Sequence, residues 1–169
     1  MQIRLFVLAI LAIGLIDVAT PTPTNAQSYS QNSVYVELGG NGLFYSVNYD
    51  RRFTNNVSGR FGFMIFGGQS EQATDDQIGV GIFPVTANYL VGTGSHRLEL
   101  GVGPVLMVAG GDLEEYGTVS AGGIAGVTST FGYRYQPMEG GFLFRIGLTP
   151  FYSDGRPQLW AGLSLGYAF

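Results

Sequence analysis

The last eleven residues of the chain alternate between an apolar set and a mostly small set of side chains. The odd positions run from Leu159 to Phe169 and are all apolar, whereas Gly162, Ser164 and Gly166 occupy even positions. A period of two gives a β-strand one apolar and one small face. An aromatic residue at the end of the apolar face is typical of a membrane–water boundary. The pattern therefore predicts a strand whose apolar face meets lipid.

Similar alternation recurs after residue 27, in stretches separated by clusters of Gly, Asn, Asp and Ser. There are eight stretches, at about 33–39, 43–53, 57–68, 78–92, 96–110, 118–136, 141–152 and 158–169. Several reach the roughly 9–11 residues that a tilted membrane strand needs, against about 5–6 for a soluble strand. Tight turns at 54–56, 92–95 and 137–140 alternate with connections at 39–42, 69–77, 111–117 and 153–157, which are mostly longer. The sequence predicts an all-β fold, an eight-stranded antiparallel transmembrane up-and-down β-barrel.

A different pattern occupies residues 1–26. Arg4 supplies a short positive region, and an apolar run follows from Leu5 to Ile16. This run is shorter than the roughly 20 residues of a membrane-spanning helix. The polar segment after it ends in Thr24-Asn25-Ala26, which fits a small-x-small cleavage site. We therefore expect residues 1–26 to form a cleavable signal peptide and residues 27–169 to form one barrel domain.

Composition excludes several classes of function. The chain has no Cys, so it forms neither a disulfide nor a thiolate metal site. Its 8 basic residues are all Arg and face 12 acidic residues, so no basic patch for nucleic acid is expected. The 27 glycines would weaken an ordinary sandwich but suit the crowded lumen of a narrow barrel. We expect no cofactor and no metal ion.

The charged residues of the predicted strands fall almost entirely on one face. With the alternating apolar residues turned toward lipid, eight of the nine charged residues point inward. These eight are Glu37, Asp50, Arg52, Arg60, Arg97, Glu99, Arg134 and Arg145. The exception, Arg51, is expected at the membrane boundary, where a long side chain can reach water.

The rule that alternating apolar residues face lipid also assigns positions where the alternation is less regular. Leu43 in the second stretch and Ala125 in the sixth are expected to face outward. In the fourth stretch, Ile82 and Tyr89 fall on opposite faces of a regular strand. A β-bulge near Phe83–Pro84 would bring both outward, because Pro cannot join a ladder normally.

Six of the inward charges are predicted at a similar height in the lumen, near the end of the barrel that holds the termini. They are Glu37, Asp50, Arg60, Glu99, Arg134 and Arg145. An eight-stranded barrel is just wide enough for its side chains to fill, and buried charges must be paired. The set predicts a neutral salt-bridge plug, since the guanidinium fork of Arg suits bidentate pairing. An ion path through the same layer is the alternative.

Other candidate sites have weaker support. His96 opens the fifth stretch beside Ser95 and near Glu99, which are the residue types of a Ser–His–acid site. Its position at a tight turn favours a solvated residue, and we expect no catalytic residues. The pairs Asp75–Asp76 and Glu114–Glu115 could attract a divalent cation, but their spacing matches no calcium loop. We interpret them as solvated acidic loops.

Three segments, at 34–53, 131–137 and 141–150, resemble small outer-membrane β-barrels of Gram-negative bacteria, in the OmpA-like and OmpX-like eight-stranded superfamily. The C-terminus also resembles the assembly signal of such proteins: Tyr167 and Phe169 match its hydrophobic positions and Gly162 fits its start. Ser164 departs from the usual Gly. The resemblance implies insertion by the outer-membrane barrel-insertion machinery, with pairing to the last strand by β-augmentation.

Together these features predict an integral protein of the cell outer membrane, with both mature termini in the periplasm. A non-enzymatic structural or surface-interaction role is expected. A narrow channel or carrier for a small solute is the alternative, and a lipid-modifying enzyme is less favoured. The expected partners are outer-membrane lipids, the insertion machinery and periplasmic chaperones, with no nucleic acid and a monomeric state. A soluble lipocalin-type barrel would reverse the faces, with apolar residues inside and charges outside.

Overall fold

A computed structural model describes residues 30–69, 77–113 and 117–169. Within these ranges the chain forms the strands β1 (Asn32–Gly39), β2 (Tyr45–Arg52), β3 (Val57–Gln69), β4 (Gln77–Val91), β5 (His96–Leu113), β6 (Gly117–Tyr135), β7 (Gly141–Ser153) and β8 (Arg156–Ala168), with a 3₁₀ turn at Gly40–Gly42. The predicted all-β fold of eight strands is confirmed, and the strand ends lie within three residues of the predicted ones. No helix in the described ranges is long and apolar enough to span a membrane. The predicted signal peptide lies outside the described residues.

The strands form one closed antiparallel barrel in which each strand pairs with its neighbours in sequence order. The barrel closes where β1 meets β8, with Val34 opposite Tyr167 and Leu38 opposite Leu163. Tight turns join β2 to β3, β4 to β5 and β6 to β7. We call the end with these turns and Phe169 the terminal end, and the opposite end the loop end.

The two faces of the wall differ as the alternation predicts. Large apolar side chains such as Val36, Phe131 and Leu165 are exposed on the outside. Along β8 the even positions Gly162 and Ser164 are buried, as their small size suggested. A period of two thus governs most of each strand and gives the barrel an apolar exterior.

The predicted bulge in β4 is wrong. The ladder of β4 with β5 keeps one register from Val91 to Gln77, and Ile82 points inward, where it is 5 % exposed. The irregularity lies instead in β6, where Val105 of β5 pairs with Gly126 and the next residue pairs with Ile124. Ala125 is therefore the extra residue of a bulge, and Ile124 becomes the exposed side chain beyond it.

Two connections at the loop end also differ from expectation. The connection predicted at 153–157 is a two-residue hairpin in which Asp154 and Gly155 both have positive φ, at 50° and 74°. Two positive φ values define the turn that best fits the twist of a hairpin. Leu43 does not face lipid but packs inside, against the buried Met64 cluster. The acidic pairs Asp75–Asp76 and Glu114–Glu115 lie outside the described residues.

Candidate functional site in the barrel lumen

A bidentate ion pair joins β5 to β7 across the lumen. Nε and Nη2 of Arg145 each donate to one carboxylate oxygen of Glu99, both at 2.7 Å. Both side chains are almost fully buried. The planar guanidinium matches the carboxylate edge, so two parallel charge-assisted hydrogen bonds offset much of the cost of burying the charges.

A second ion pair joins β2 to β6. Nη2 of Arg134 donates to Asp50 at 2.7 Å, and its Nη1 lies 3.8 Å from Oε1 of Glu99. The other oxygen of Asp50 accepts from Ser58 at 2.9 Å and from Asn88 at 3.4 Å. Arg134 and Asp50 are both wholly buried, and every oxygen of the carboxylate has a donor.

The third pair completes the network at β1 and β3. Arg60 donates to Glu37 through Nη2 and to Asn48 through Nε, the latter at 2.9 Å. Nη1 of Arg145 lies 4.0 Å from Oε1 of Glu37, which links this pair to the first. Tyr35 lies between the two guanidinium groups, with its ring centre 5.5 Å from Arg60 and 4.7 Å from Arg145. Cation–π contact adds to the ion pairs in a desolvated site.

The structure thus brings all six predicted lumen residues into one connected cluster with three positive and three negative groups. We call it the charge layer, defined by Glu37, Asp50, Arg60, Glu99, Arg134 and Arg145. The other two inward charges, Arg52 and Arg97, are also buried. Sequence reasoning missed the neutral members Tyr35, Asn48 and Asn88. Their inward register was readable from the alternation, but charge alone selected the candidates.

At the terminal end of the lumen, Ser30, which precedes β1, is buried and hydrogen-bonded to the turn between β6 and β7. Ser30 donates its N–H to Met138 O at 2.7 Å and its hydroxyl to Pro137 O at 3.1 Å. Gln136 donates to the hydroxyl of Ser30 at 3.2 Å and accepts from Nε of Arg134 at 2.9 Å. Ser30 is therefore linked through Gln136 to Arg134 of the charge layer.

The loop side of the lumen has a different filling. Met64, Ile82 and Val105 form a buried apolar cluster, with Leu43 and Phe151 packed against it. Beside the charge layer, by contrast, a cavity of about 10 Å³ is lined by Glu37, Glu99 and Arg145 among others. Such a cavity holds about one water molecule. The lumen is therefore packed at the charge layer and at the apolar cluster, as expected for eight strands.

The other predicted residues lie away from this cluster. His96 is exposed on the outer wall, where its Nδ1 lies 2.5 Å from the hydroxyl of Tyr133. Glu99 points into the lumen and binds Arg145, so it does not form a triad with His96. Among the described residues no group of His, Cys, Asp or Glu could hold a metal ion. In β8, Gly162 is buried, whereas Tyr167 and Phe169 are exposed on the outer wall at the terminal end.

A closed eight-stranded barrel with an apolar exterior and a charged, packed lumen defines the class of protein as a small antiparallel β-barrel. The solved structures that it is similar to share that fold. One is the N-terminal barrel domain of OprF from Pseudomonas aeruginosa, at 18 % identity and a TM-score of 0.53, covering 82 % of this chain and 98 % of that one.

Another is Ail, the attachment invasion locus protein of Yersinia pestis, in complex with the heparin analogue sucrose octasulfate. It has 15 % identity and a TM-score of 0.51, and the match covers 83 % of this chain and 99 % of that one. No protein-family model matches the chain, and no curated protein matches it. At these identities the likeness establishes the fold, as the resemblance predicted.

Proposed function

We propose that the chain is an integral β-barrel of the bacterial outer membrane with a structural or surface-interaction role. One observation carries the proposal: the exposed wall is apolar, whereas eight charged strand residues are buried in the lumen. A soluble barrel would expose charge to water, and a bilayer cannot solvate charge on a lipid-facing wall. Tyr89 and Tyr167 on the exposed wall near the terminal end suit a membrane–water interface.

The lumen of this barrel is closed rather than conducting. The charge layer has balanced charge and interlocking hydrogen bonds, and the buried Ser30 is hydrogen-bonded to the turn at its terminal end. A path for ions would require these buried pairs to separate, which costs several kcal/mol for each ion left unpaired. The channel hypothesis is the alternative outcome of the experiment below.

A surface role places recognition at the loop end of the barrel. Ail was solved with a sulfated heparin analogue, but the segments predicted at the loop end of this chain are acidic. Acidic segments repel polyanions, so the partner chemistry that suits this chain is neutral or cationic. A catalytic role has little support, because the exposed His96 has a tyrosine hydroxyl rather than an acid at its Nδ1.

Assembly follows from the last strand. Tyr167 and Phe169 present two rings on the outer face of β8, and Gly162 lies opposite Gly39 of β1. We propose that these three residues act as the signal for the barrel-insertion machinery after delivery by periplasmic chaperones. The folded product is a monomer in outer-membrane lipid with both termini in the periplasm. Deleting Phe169 should lower the yield of heat-modifiable folded barrel, while deleting Met138 should not remove the signal.

The decisive experiment combines fractionation with conductance. We expect the protein in the outer-membrane fraction of a Gram-negative host, in a form that needs detergent for extraction. Purified barrel in planar bilayers should show no steady conductance. A detergent-free soluble monomer would refute the membrane assignment, whereas large steady currents would refute closure and favour the channel. Where an arginine of the charge layer is replaced in the same experiment, Arg51→Gln is the control for nonspecific effects of losing an arginine, because Arg51 lies outside the charge layer.

A further inference from the structure

The connection between β1 and β2 folds back into the lumen instead of extending from the rim. Gly40, Asn41 and Gly42 are all buried, and we call residues 39–44 the inward turn. Gly39, Gly40 and Leu43 have φ values of 68°, 70° and 72°, which reverse the chain direction within a few residues. Glycine is required at the first two, because a Cβ there would lie 2.3 Å from Ala161 O and 2.4 Å from the Glu37 carboxyl carbon.

The tip of the inward turn reaches the opposite wall. Nδ2 of Asn41 donates to the hydroxyl of Thr130 at 3.0 Å, and the hydroxyl of Thr128 donates to its Oδ1 at 3.1 Å. Both threonines are on β6, three strands away from β1 in the barrel order. A single side chain therefore fastens the turn across the width of the lumen, between the charge layer and the apolar cluster.

Few bonds hold the inward turn in place. The base is fixed at the rim by the bond from Gly39 N–H to Phe44 O at 2.7 Å, and the rest of the turn has no strand ladder. Beyond the Asn41 side chain, the bonds of the tip to the wall include one from Asn41 N–H to Oε2 of Glu37 at 3.2 Å. That same oxygen is paired with Arg60. Beyond its base, the turn is held to the wall by contacts of Asn41 and Leu43 rather than by a strand ladder, so it can open locally without unpairing a strand.

We propose that the inward turn is a reversible latch that controls access of water-soluble molecules to the lumen from the loop end. The side chain of Asn41 holds the turn in its closed position, and Glu37 couples the latch to the charge layer. In the open position the turn has rotated out of the lumen about Gly39 and Gly40. Leu43 then leaves the apolar cluster, and the polar side chains beneath Asn41 are exposed to solvent. The latch depends on contacts within the barrel and not on the membrane location or surface role proposed above.

The chain contains no Cys, so one introduced thiol can report access. Ser46 suits the purpose because it is wholly buried beneath the turn, where a Cβ on Gly42 would lie 2.6 Å from its own Cβ. Folded Ser46→Cys barrel in detergent micelles is treated with a charged methanethiosulfonate reagent, and the labelling rate is measured. Micelles leave both barrel ends in solvent, so the result does not depend on membrane orientation.

Asn41→Asp removes the donor to Thr130 and adds negative charge beside Glu37, so it should shift the turn toward its open position. We expect labelling of Ser46→Cys to rise at least about tenfold, which equals a shift of about 1.4 kcal/mol toward the open state. Gln136→Glu is the matched control, since Gln136 is equally buried, its amide also donates a hydrogen bond, to Ser30, and it does not touch the turn. Equal labelling in the two variants would mean general loosening and would overturn the latch.

If Asn41→Asp does not fold, a second pair of variants tests the latch. Gly40→Ala drives a methyl group into Glu37, whereas Gly94→Ala meets nothing within 4 Å at nearly the same φ, 72° against 70°. The backbone strain is thus matched and only the clash differs. We expect accelerated labelling in folded Gly40→Ala alone. Unchanged labelling in Gly40→Ala, or equal acceleration in Gly94→Ala, would overturn the proposal.

Discussion

The two halves of the lumen solve the same packing problem with opposite chemistry. Near the terminal end, inward positions carry arginines and carboxylates that pair across the barrel, as Arg145 does with Glu99. Toward the loop end, inward positions carry Met64, Ile82 and Val105 instead. Side chains fill the lumen in both halves, but only in the charged half does each side chain depend on an oppositely charged partner. The comparison teaches that the two halves should respond differently when one side chain is removed.

The largest effect is expected when one member of an ion pair is removed. Arg145→Met leaves the Glu99 carboxylate buried without its bidentate partner and should lower the free energy of unfolding by about 3–5 kcal/mol. Urea titration of the folded barrel, followed by heat-modifiable gel migration, measures the change. A loss below about 1 kcal/mol would show that water already solvates Glu99 and that the charged half is not sealed.

A somewhat smaller effect is expected in the apolar half. Met64→Ala should cost about 2–4 kcal/mol, because it leaves a cavity against Ile82 and Val105. Met64→Leu is the matched control and should cost less than about 1.5 kcal/mol, since volume is conserved. The same urea titration applies. If Met64→Ala and Met64→Leu lose equal stability, the shape of the side chain rather than the volume of the cavity determines the stability of the apolar half.

Removing both members of the pair distinguishes the halves more sharply. Glu99→Met combined with Arg145→Met should cost only about 1–2 kcal/mol, less than Arg145→Met alone, because no unpaired charge remains. The double-mutant cycle gives the coupling between the two side chains. Additive losses would show that each side chain acts independently, contrary to the contacts in the lumen.

The smallest effect is expected outside both halves. Arg51→Gln should change the free energy of unfolding by less than about 0.5 kcal/mol, because Arg51 is only partly buried and water screens the interactions of such a charge. Unfolding at two salt concentrations provides a second comparison. A stability change as large as that of Arg145→Met would place Arg51 in a structural network and remove the distinction between inward and outward arginines.

Much of this arrangement was predictable from period-two alternation. Charge provided the strongest signal, because a lipid-facing wall rejects it, and so the inward register of Glu37 and Arg134 could be assigned from sequence alone. Apolar residues were less informative, since they suit both lipid and a packed lumen. Ile82 and Leu43 were assigned outward for that reason, and a bulge was placed in β4 to accommodate Ile82.

Other features had no readable signal in the sequence. The partners within the charge layer depend on register across strands that are far apart in the chain, so alternation could group the six residues but not pair them. The inward turn depends on whether Gly39–Gly42 folds into or away from the lumen. A short glycine-rich segment is compatible with both, and contacts distant in sequence determine the direction, those of Asn41 with β6 and of Leu43 with the Met64 cluster.

The pairing of β1 with β8 has a consequence for how the molecule is made. Val36 lies opposite Leu165, so the seam joins nearly the first and last residues of the described barrel. Until β8 exists, both ends of the sheet are open edges able to pair with other chains. The charge layer is also incomplete until β7 delivers Arg145. Closure therefore cannot begin before β8 is present, and a chain interrupted before β8 is an aggregation hazard rather than a smaller barrel.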